Sequence, residues 1–310
     1  MNQTCKKTSI GGQALIEGIL MRGPRKTAIV VRKSDGTTVR KEDEVGTSSH
    51  GRWARAPFVR GVVNFWDSMK YGIGALNYSA SFFEEGEGEP QGKFERWLTS
   101  KFGAAKIDKF FMALATVLGV ALPIVLFMLL PTLIAGFFGK DQISIVRNLI
   151  EGLIRILIFL AFLYLTSKQK DVRRTYMYHG AEHKTIACYE AGLPLTVENA
   201  RLQNRRHPRC GTSFLFVVII VSILFTSLFT WSSPVMRVVI RLALLPLIVG
   251  VSYEINRWCG RCDNLLSRVL RAPGLFMQNF TTYEPEDGML EVAIEALSAV
   301  IPENETEDRW

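Results

Sequence analysis

The chain has few histidines and few cysteines. Only four of its 310 residues are histidine, and three of these lie between residues 179 and 207. The five cysteines are an odd number scattered along the chain, which excludes the paired, closely spaced pattern of a secreted disulfide framework. We therefore expect the polar parts of the chain to face a reducing compartment.

Two further patterns are missing from the N-terminal stretch. Its longest apolar run, residues 14–21, is interrupted by Glu17 and is too short for the hydrophobic region of a signal peptide. The glycine-dense sequence 11–24 has no Gly-Lys-Ser/Thr ending, so a phosphate-binding P-loop is not predicted there. We expect these glycines to serve tight turns with positive φ.

Charge is missing from long stretches in the middle of the chain. Residues 110–138 include no charged residue over 29 positions, enough to cross a hydrocarbon layer of ~30 Å. Three more apolar stretches follow, at residues 143–166, 214–231 and 235–255. We predict a mainly α-helical polytopic membrane protein with about four transmembrane helices.

Five charged residues interrupt the second and fourth of these stretches. They are Arg147, Glu151, Arg155, Arg237 and Arg241. A lone charge at the bilayer centre costs about 2.5–3.5 kcal/mol on insertion scales, so these side chains must face protein or water. Two interpretations stay open: mutual pairing that holds a helix bundle together, or a polar cavity such as a transporter would need.

The distribution of cations predicts the orientation. Nine Lys and Arg residues lie in the connector 167–212, whereas the connectors 139–142 and 232–236 contain only Lys140. The positive-inside rule therefore places both termini and residues 167–212 in the cytosol. The net charge of +8 favours contact with anionic lipid headgroups, and no pattern indicates a specific nucleic-acid partner.

Six segments follow from these patterns. They are a cytosolic β-containing domain (1–57), amphipathic interfacial helices with a linker (58–109), a first transmembrane hairpin (110–166), a cytosolic His/Cys loop (167–212), a second transmembrane hairpin (213–255) and a cytosolic tail with an amphipathic helix (256–310). A hairpin is predicted around Asp35-Gly36, and the tail helix is expected to have Pro285 in its first turn.

The most informative motif is His179-Gly-Ala-Glu182-His183. Residues four apart stack on one helix face, so both imidazoles can bind one metal ion, and Glu182 can act on a bound water as general base. The order His-x-x-Glu-His is that of the inverzincin metalloproteases. A solvated helix face, with Glu182 offsetting positive charge, is the competing interpretation. The helix is expected to end at Gly192, before Pro194.

A catalytic metal needs a third protein ligand, and the sequence offers two sets. The favoured set is His179, His183 and Glu254, around a divalent metal such as zinc. The rival is a closed, structural zinc site formed by His207 and Cys210, with or without Cys259 and Cys262. A mixture of the two sets, and a Cys210 nucleophile beside His207, also stay open.

Several longer motifs carry a family resemblance. They are Gly-Gly-Gln-Ala-x-x-Glu-Gly-x-x-Met-Arg-Gly-Pro (11–24), His-Gly-Ala-Glu-His-Lys (179–184), His-Pro-Arg-Cys-Gly-Thr-Ser-Phe (207–214), Ala-Pro-Gly (272–274) and Glu-Val-Ala-Ile (291–294). In these motifs the chain resembles the YqhQ-like family of bacterial membrane proteins, an uncharacterised family labelled as predicted metal-dependent enzymes. The resemblance implies a multi-pass protein of the bacterial plasma membrane. The pair Cys259 and Cys262 lies outside the family pattern.

Three functions are compatible with these observations. The first is a metal-dependent hydrolase that acts on a peptide or lipid at the membrane surface. The second is a scaffold or membrane-protein biogenesis factor with a structural zinc site, which would bind a ribosome, a translocase or a membrane protein through its basic surface. The third is a transporter that uses the charged residues of the spans. The sequence does not indicate the oligomeric state.

Overall fold

The computed structural model describes residues 7–45, 51–83, 110, 113–114, 117–119, 121–137, 144–227, 234–304 and 307–308. Contacts divide the chain into two compact units. The first unit comprises residues 1–83, 160–222 and 244–310, and the second comprises residues 84–159 and 223–243. The segments predicted at 1–57, 167–212 and 256–310 therefore belong to one folded unit.

A four-stranded antiparallel sheet forms the N-terminal part of the first unit. Its strands β1 (Gly11–Leu15), β2 (Gly18–Arg22), β3 (Lys26–Arg32) and β4 (Thr38–Glu44) follow one another in chain order. The predicted hairpin is confirmed: Gly36 has φ 86°, and Asp35 accepts a hydrogen bond from the main chain of Thr37 (2.8 Å). The turn between β1 and β2 differs from expectation, since Glu17 and not a glycine has positive φ (48°).

The remaining regular structure is helical. In chain order the α-helices are α1 (Val59–Ala80), α2 (Leu130–Phe137), α3 (Ser144–Thr166), α4 (Lys170–Glu190), α5 (Val197–Arg201), α6 (Gly211–Ser227), α7 (Pro234–Arg261), α8 (Leu265–Thr281) and α9 (Asp287–Ser298). A 3-10 turn at Arg52–Arg55 precedes α1, and a π-helical segment at Val125–Leu129 precedes α2.

Among the residues that the structure describes, three helices are long and apolar enough to cross a membrane: Val117–Phe137, Val146–Thr166 and Val238–Arg261. The helix α6, which corresponds to the predicted third span, is apolar but only 17 residues long. The residues that follow it, 228–233, lie outside the described part of the chain. The fold is thus mainly α, with three candidate membrane helices where four were predicted.

Both faces of the sheet are covered by helices, because β2 and β3 are apolar on both sides. The larger core lies between the sheet, α4 and α9. It includes Ile19, Met21, Val30, Tyr178, Ala181, Leu290 and Leu297. A smaller core on the opposite face joins the sheet to α1 through Ala75 and Tyr78. The C-terminal amphipathic helix therefore packs as predicted, although it starts at Asp287, after Pro285 rather than at it.

A buried polar network lies inside the second unit. Glu151 accepts a hydrogen bond from the Thr132 hydroxyl (2.7 Å) and forms ion pairs with Arg155 (3.3 Å) and Arg241. Arg241 also donates to Thr132 (3.0 Å). For Glu151, Arg155 and Arg241 the structure therefore supports the first interpretation, in which these charges pair with one another.

Of the other two charged residues predicted within the spans, only Arg147 has a described side chain. Arg147 is half-buried on α3, and the side chain of Arg237 is outside the described part of the structure. Nothing in the arrangement of the described charges indicates a conduction path, so the transporter hypothesis gains no support.

Two helices of the first unit present exposed apolar side chains. On α1, Trp66, Met69 and Ile73 are 70%, 48% and 54% exposed, as an interfacial helix requires. On α8, which the sequence analysis had included in a soluble tail, the exposed residues are Leu265, Leu266, Val269, Leu270 and Phe276. The predicted linker and amphipathic segment at 84–109 lie outside the described residues.

Candidate metal centre

The helix α4 carries the central motif and has a well-defined end. Gly192 has φ 67°, its N–H donates to the carbonyl of Tyr189 (3.0 Å), and the N–H of Leu193 donates to that of Cys188 (3.2 Å). These two bonds form a Schellman motif, which confirms the predicted end at Gly192. The helix packs against β1 and α9, so its central turns are buried.

His179 and His183 stack on α4 as their spacing predicts. Their ring centroids are 4.3 Å apart, and His183 is only 1% exposed, so this turn of α4 is not a solvated face. Cys210, the residue before α6, completes the group, with its Sγ 3.2 Å from His179 Nε2. Donor atoms of these three residues all lie within 4.8 Å of one another. Among the residues that the structure describes, no other three His, Cys, Asp or Glu side chains meet so closely.

Main-chain carbonyl groups orient both imidazole rings. His179 Nδ1 is 2.8 Å from the carbonyl oxygen of Thr281, and His183 Nδ1 is 2.6 Å from that of Arg205. A carbonyl oxygen only accepts, so each Nδ1 carries a proton, and each Nε2 is left to pair with the Cys210 sulfur or, once deprotonated, to bind a metal ion. Histidine ligands of metal ions generally donate their second ring nitrogen to such a partner.

Glu182 is buried beside this cluster, with only 5% of its surface exposed. One of its oxygens, Oε2, has no hydrogen-bond partner, although the carboxylate accepts a bond from the Gly12 main chain. Burial raises the pKa of the Glu182 carboxyl above its usual range, and the neighbouring imidazoles partly offset the shift. An unsatisfied buried oxygen of this kind is costly and points to a group that the carboxylate is placed to meet.

Gly12 makes the close approach of Glu182 feasible. A Cβ at this position would lie 2.9 Å from Glu182 Cδ and 2.8 Å from the carbonyl oxygen of Leu20. Glycine in β1 therefore serves close packing, which corrects the expectation that the glycines of 11–24 supply positive φ.

The electrostatics of the cluster favour a cysteine thiolate. Burial opposes ionisation of the Cys210 thiol, but His179 and His183 hold its pKa well below the ordinary value. Burial likewise disfavours a charged His179, yet the adjacent Cys210 sulfur raises the pKa of that imidazole to about 9. Cys210 also lies at the N-terminus of α6, where main-chain N–H groups favour a thiolate.

His207 lies near the cluster but has different partners. Its ring centroid is 5.6 Å from that of His183, and its Nε2 is 3.3 Å from Glu190 Oε2. Glu190 in turn forms an ion pair with Arg209. Burial lowers the pKa of His207. The predicted closed site of His207, Cys210, Cys259 and Cys262 is not assembled by the described residues, because Cys210 joins His179 and His183 instead.

Glu254, predicted as the third ligand, is engaged elsewhere. Both of its carboxylate oxygens bind the guanidinium of Arg60, and the main-chain N–H of Phe58 donates to it at 3.2 Å. Cys210, and not Glu254, is the third potential ligand beside His179 and His183. The spacing of His183 and Glu254 in the sequence does not predict whether their side chains meet, because this depends on the course of the main chain between them.

The three candidate ligands and Glu182 line a cleft of about 600 Å³. One wall is α1, with Phe65, Met69 and Ile73, and the other wall is α4. The strand β1 lies between these walls and contributes Ile10, Gly11, Gly12, Gln13 and Ala14. The lining of the cleft is mostly apolar. Its polar side chains include those of the His and Cys cluster and of Glu182.

Comparison with known proteins places the chain in a family. A family model described as a protein of unknown function (DUF1385) matches residues 56–303. The chain belongs to this family. It is 31% identical over 300 residues to the uncharacterized protein YqhQ of Bacillus subtilis (strain 168), covering 94% of this chain and 92% of that protein. The resemblance stated from the motifs is thereby confirmed. No solved structure matches the chain.

Some residues of the candidate site were not predicted from the sequence. The carbonyl groups of Thr281 and Arg205 belong to segments with no recognisable motif. Gln278 is fully buried and holds the loop before Cys210, since its side chain accepts from the N–H of His207 (2.8 Å) and donates to its carbonyl (2.9 Å). A main-chain carbonyl group that orients an imidazole ring can belong to any residue type, so only the tertiary structure reveals it.

In metal-free protein, iodoacetamide at pH 6 should alkylate the Cys210 thiol much faster than it alkylates an ordinary thiol. The thiolate is the reactive species, and an unperturbed thiol of pKa ~8.5 is almost fully protonated at that pH. Mass spectrometry of Cys210→Ser protein should show the fast reaction lost, whereas Cys188→Ser, which changes another buried cysteine, should retain it. Fast alkylation that persists in Cys210→Ser would show that another thiol is the activated one.

Proposed function

We propose that this protein is a membrane-bound, metal-dependent hydrolase whose active site is formed by His179, His183, Cys210 and Glu182. The observation that carries the proposal is the convergence of three donor atoms within 4.8 Å, beside a buried carboxylate with an unpartnered oxygen. Three protein ligands with one open position are typical of catalytic zinc, whereas structural sites are closed by four.

The donor set suits zinc or a similar borderline metal ion. Two imidazoles and one thiolate are ligands that such ions prefer, and both imidazoles have the carbonyl partners expected of metal ligands. When bound, the metal ion lowers the pKa of water and polarises a carbonyl group. The Cys210 thiolate would supply one negative charge, and the Nε2 lone pairs of His179 and His183 would complete the donor set.

Glu182 supplies the proton transfers. As general base it removes a proton from the attacking water, whose oxygen forms a bond to the carbonyl carbon of the substrate. The bond from that carbon to the leaving group then breaks, and Glu182 returns the proton to the leaving nitrogen or oxygen. The raised pKa of Glu182 suits both roles, because a catalytic pKa nearer neutrality balances proton uptake and release.

The apolar helices support a membrane location for this site. The proposal assigns the protein to the bacterial plasma membrane as a multi-pass protein with cytosolic termini, supported by the nine cations between residues 167 and 212. The exposed apolar residues of α1 and α8 suit insertion at the interface, where Arg268 of α8, which is exposed and pairs with Asp263, can contact anionic headgroups.

Metal content is the decisive measurement. Elemental analysis of detergent-purified protein should find about one equivalent of a transition metal in the wild type, and His183→Ala should lose it, because two remaining ligands bind far more weakly. His207→Ala changes a histidine of similar burial that lies outside the donor set, so it should retain the metal. Metal-free wild-type protein, or equal losses in both variants, would contradict the proposal.

A second function is favoured by one contact. The distance of 3.2 Å between Cys210 Sγ and His179 Nε2 is that of a thiolate–imidazole pair, so Cys210 could attack a carbonyl carbon itself. The sequence analysis had paired Cys210 with His207, whereas the structure pairs it with His179. Activity that survives 1,10-phenanthroline but not iodoacetamide would favour this function over the metal-dependent one.

A further inference from the structure

The outer edge of β1 is unpaired among the described strands. Its hydrogen-bonded partner in the sheet is β2, on one side only. Leu15 pairs with Gly18 across a two-residue turn, so Leu15, Gln13 and Gly11 exchange hydrogen bonds with β2. The main-chain groups of Gly12 and Ala14 therefore point away from the sheet. The bond from Gly12 to Glu182 agrees with this register, since α4 lies on the outer side.

This free edge lies along the cleft that contains the candidate metal ligands. Gly11, Gly12 and Gln13 are exposed, and the cleft runs between α1 and α4 with β1 between them. A second cavity of about 430 Å³ shares these three residues and Ser68 with the first. The cleft therefore extends beyond the candidate ligands, past the Gly11 end of β1 toward Gly23 and Pro24, as an elongated ligand requires.

The chemistry of the cleft selects among elongated ligands. A hydrocarbon chain laid on β1 would cover main-chain N–H and C=O groups without satisfying them, which is costly. An extended peptide satisfies these groups by adding a strand, while its alternate side chains point to opposite walls. The apolar side chains of α1, among them Phe65, Met69 and Ile73, favour an apolar peptide.

We infer that the substrate is an extended, apolar peptide segment that binds as an additional strand on the outer edge of β1. The carbonyl of Gly12 and the main-chain groups of Ala14 supply its main-chain hydrogen bonds, since the Gly12 N–H is already bonded to Glu182, and the strand passes beside Glu182. The scissile amide thus lies near His179, His183 and Cys210. The inference rests on the proposed hydrolase function and narrows its substrate from a peptide or lipid to a peptide.

Binding can be tested without turnover. Full-length Glu182→Gln protein in detergent is incubated with a pool of random hexapeptides built from Ala, Leu, Val, Phe, Ser and Lys, and bound peptides are identified by mass spectrometry. The best-bound sequence is then synthesised with a single N-methyl group at each position in turn, and its affinity is measured by fluorescence anisotropy. An N-methyl group removes one main-chain donor and leaves the side chains unchanged.

Strand addition predicts a period of two. N-methylation at positions that face β1 should weaken binding about tenfold, and at the intervening positions by less than twofold, since only alternate residues bond to the edge. Uniform effects, or no peptide bound from the pool, would overturn the inference. Binding of a dodecyl-chain amphiphile in place of any peptide would also overturn it and would identify a lipid site.

The same measurements separate this inference from the proposed function. Period-two binding in a protein that contains no metal would support the peptide site and refute the metal-dependent hydrolase. A protein that contains the expected metal but shows no period-two binding would leave the hydrolase standing and refute the peptide site.

Discussion

The Glu182→Gln variant should retain its metal and lose hydrolytic activity by about 10²- to 10⁴-fold, the usual contribution of a general base. The amide has nearly the shape of the carboxyl group and keeps an oxygen that can accept from Gly12, so the packing against β1 should persist. It cannot accept a proton from water at neutral pH. Activity is measured as release of new amino termini from the hexapeptide pool, and metal by elemental analysis.

Glu254→Gln is the matched control for this substitution. Glu254 is the other carboxylate that the sequence placed at the site, and in the structure its partner is Arg60. Its variant should keep both metal and activity within a few fold. If Glu182→Gln lost metal, activity and folded structure together, Glu182 would be a structural residue rather than the base.

The Gly180→Ala substitution should destabilise the first unit and weaken metal binding. A Cβ on Gly180 would lie 2.0 Å from the carbonyl oxygen of Tyr283, a main-chain atom that cannot move alone. The neighbouring Thr281 carbonyl orients His179, so displacement of this segment also disturbs a ligand. Overpacking of this kind costs roughly 1–3 kcal/mol, occasionally more.

The sign of the effect makes Gly180→Ala informative. In a helix interior, alanine is ordinarily more stable than glycine by about 1 kcal/mol. A fall in the thermal midpoint, followed by circular dichroism in detergent, would therefore show that the contact with Tyr283 outweighs helix propensity. Gly11→Ala is the control, because nothing lies within 4 Å of its added Cβ, and it should leave the midpoint nearly unchanged. An unchanged or raised midpoint in Gly180→Ala would contradict the packing described here.

Local patterns in the sequence located the parts of the site that lie on one helix. His179 and His183 are four residues apart, and the period of the α-helix alone brings them together, as the structure confirms. Cys210 was recognised as a candidate ligand, and its position beside both imidazoles corresponds to the mixture of the two predicted sets that the sequence left open. Its position beside His179 depends on the loop from residue 202 to 210, which Gln278 holds in place from another helix.

The same division applies to the fold. Apolar runs and turn residues predicted a β-containing N-terminal domain with its hairpin at Asp35-Gly36, apolar helices in the middle of the chain and the end of α4, because each of these depends on residues close together in the chain. The register of β1 and its position between α1 and α4 were not predictable in this way. Neither was the role of Gly12, whose need for glycine arises from contact with Glu182, 170 positions away in the chain.

The sequence by itself determined the type of molecule: a basic, mainly helical chain with apolar spans, a small β region and two stacked imidazoles beside a carboxylate. Each of these features follows from a periodicity or a composition that nearby residues define. Only the tertiary structure decided which third side chain joins the imidazoles, because packing of distant segments, held by main-chain carbonyl groups of no particular sequence, brought Cys210 to them and paired Glu254 with Arg60.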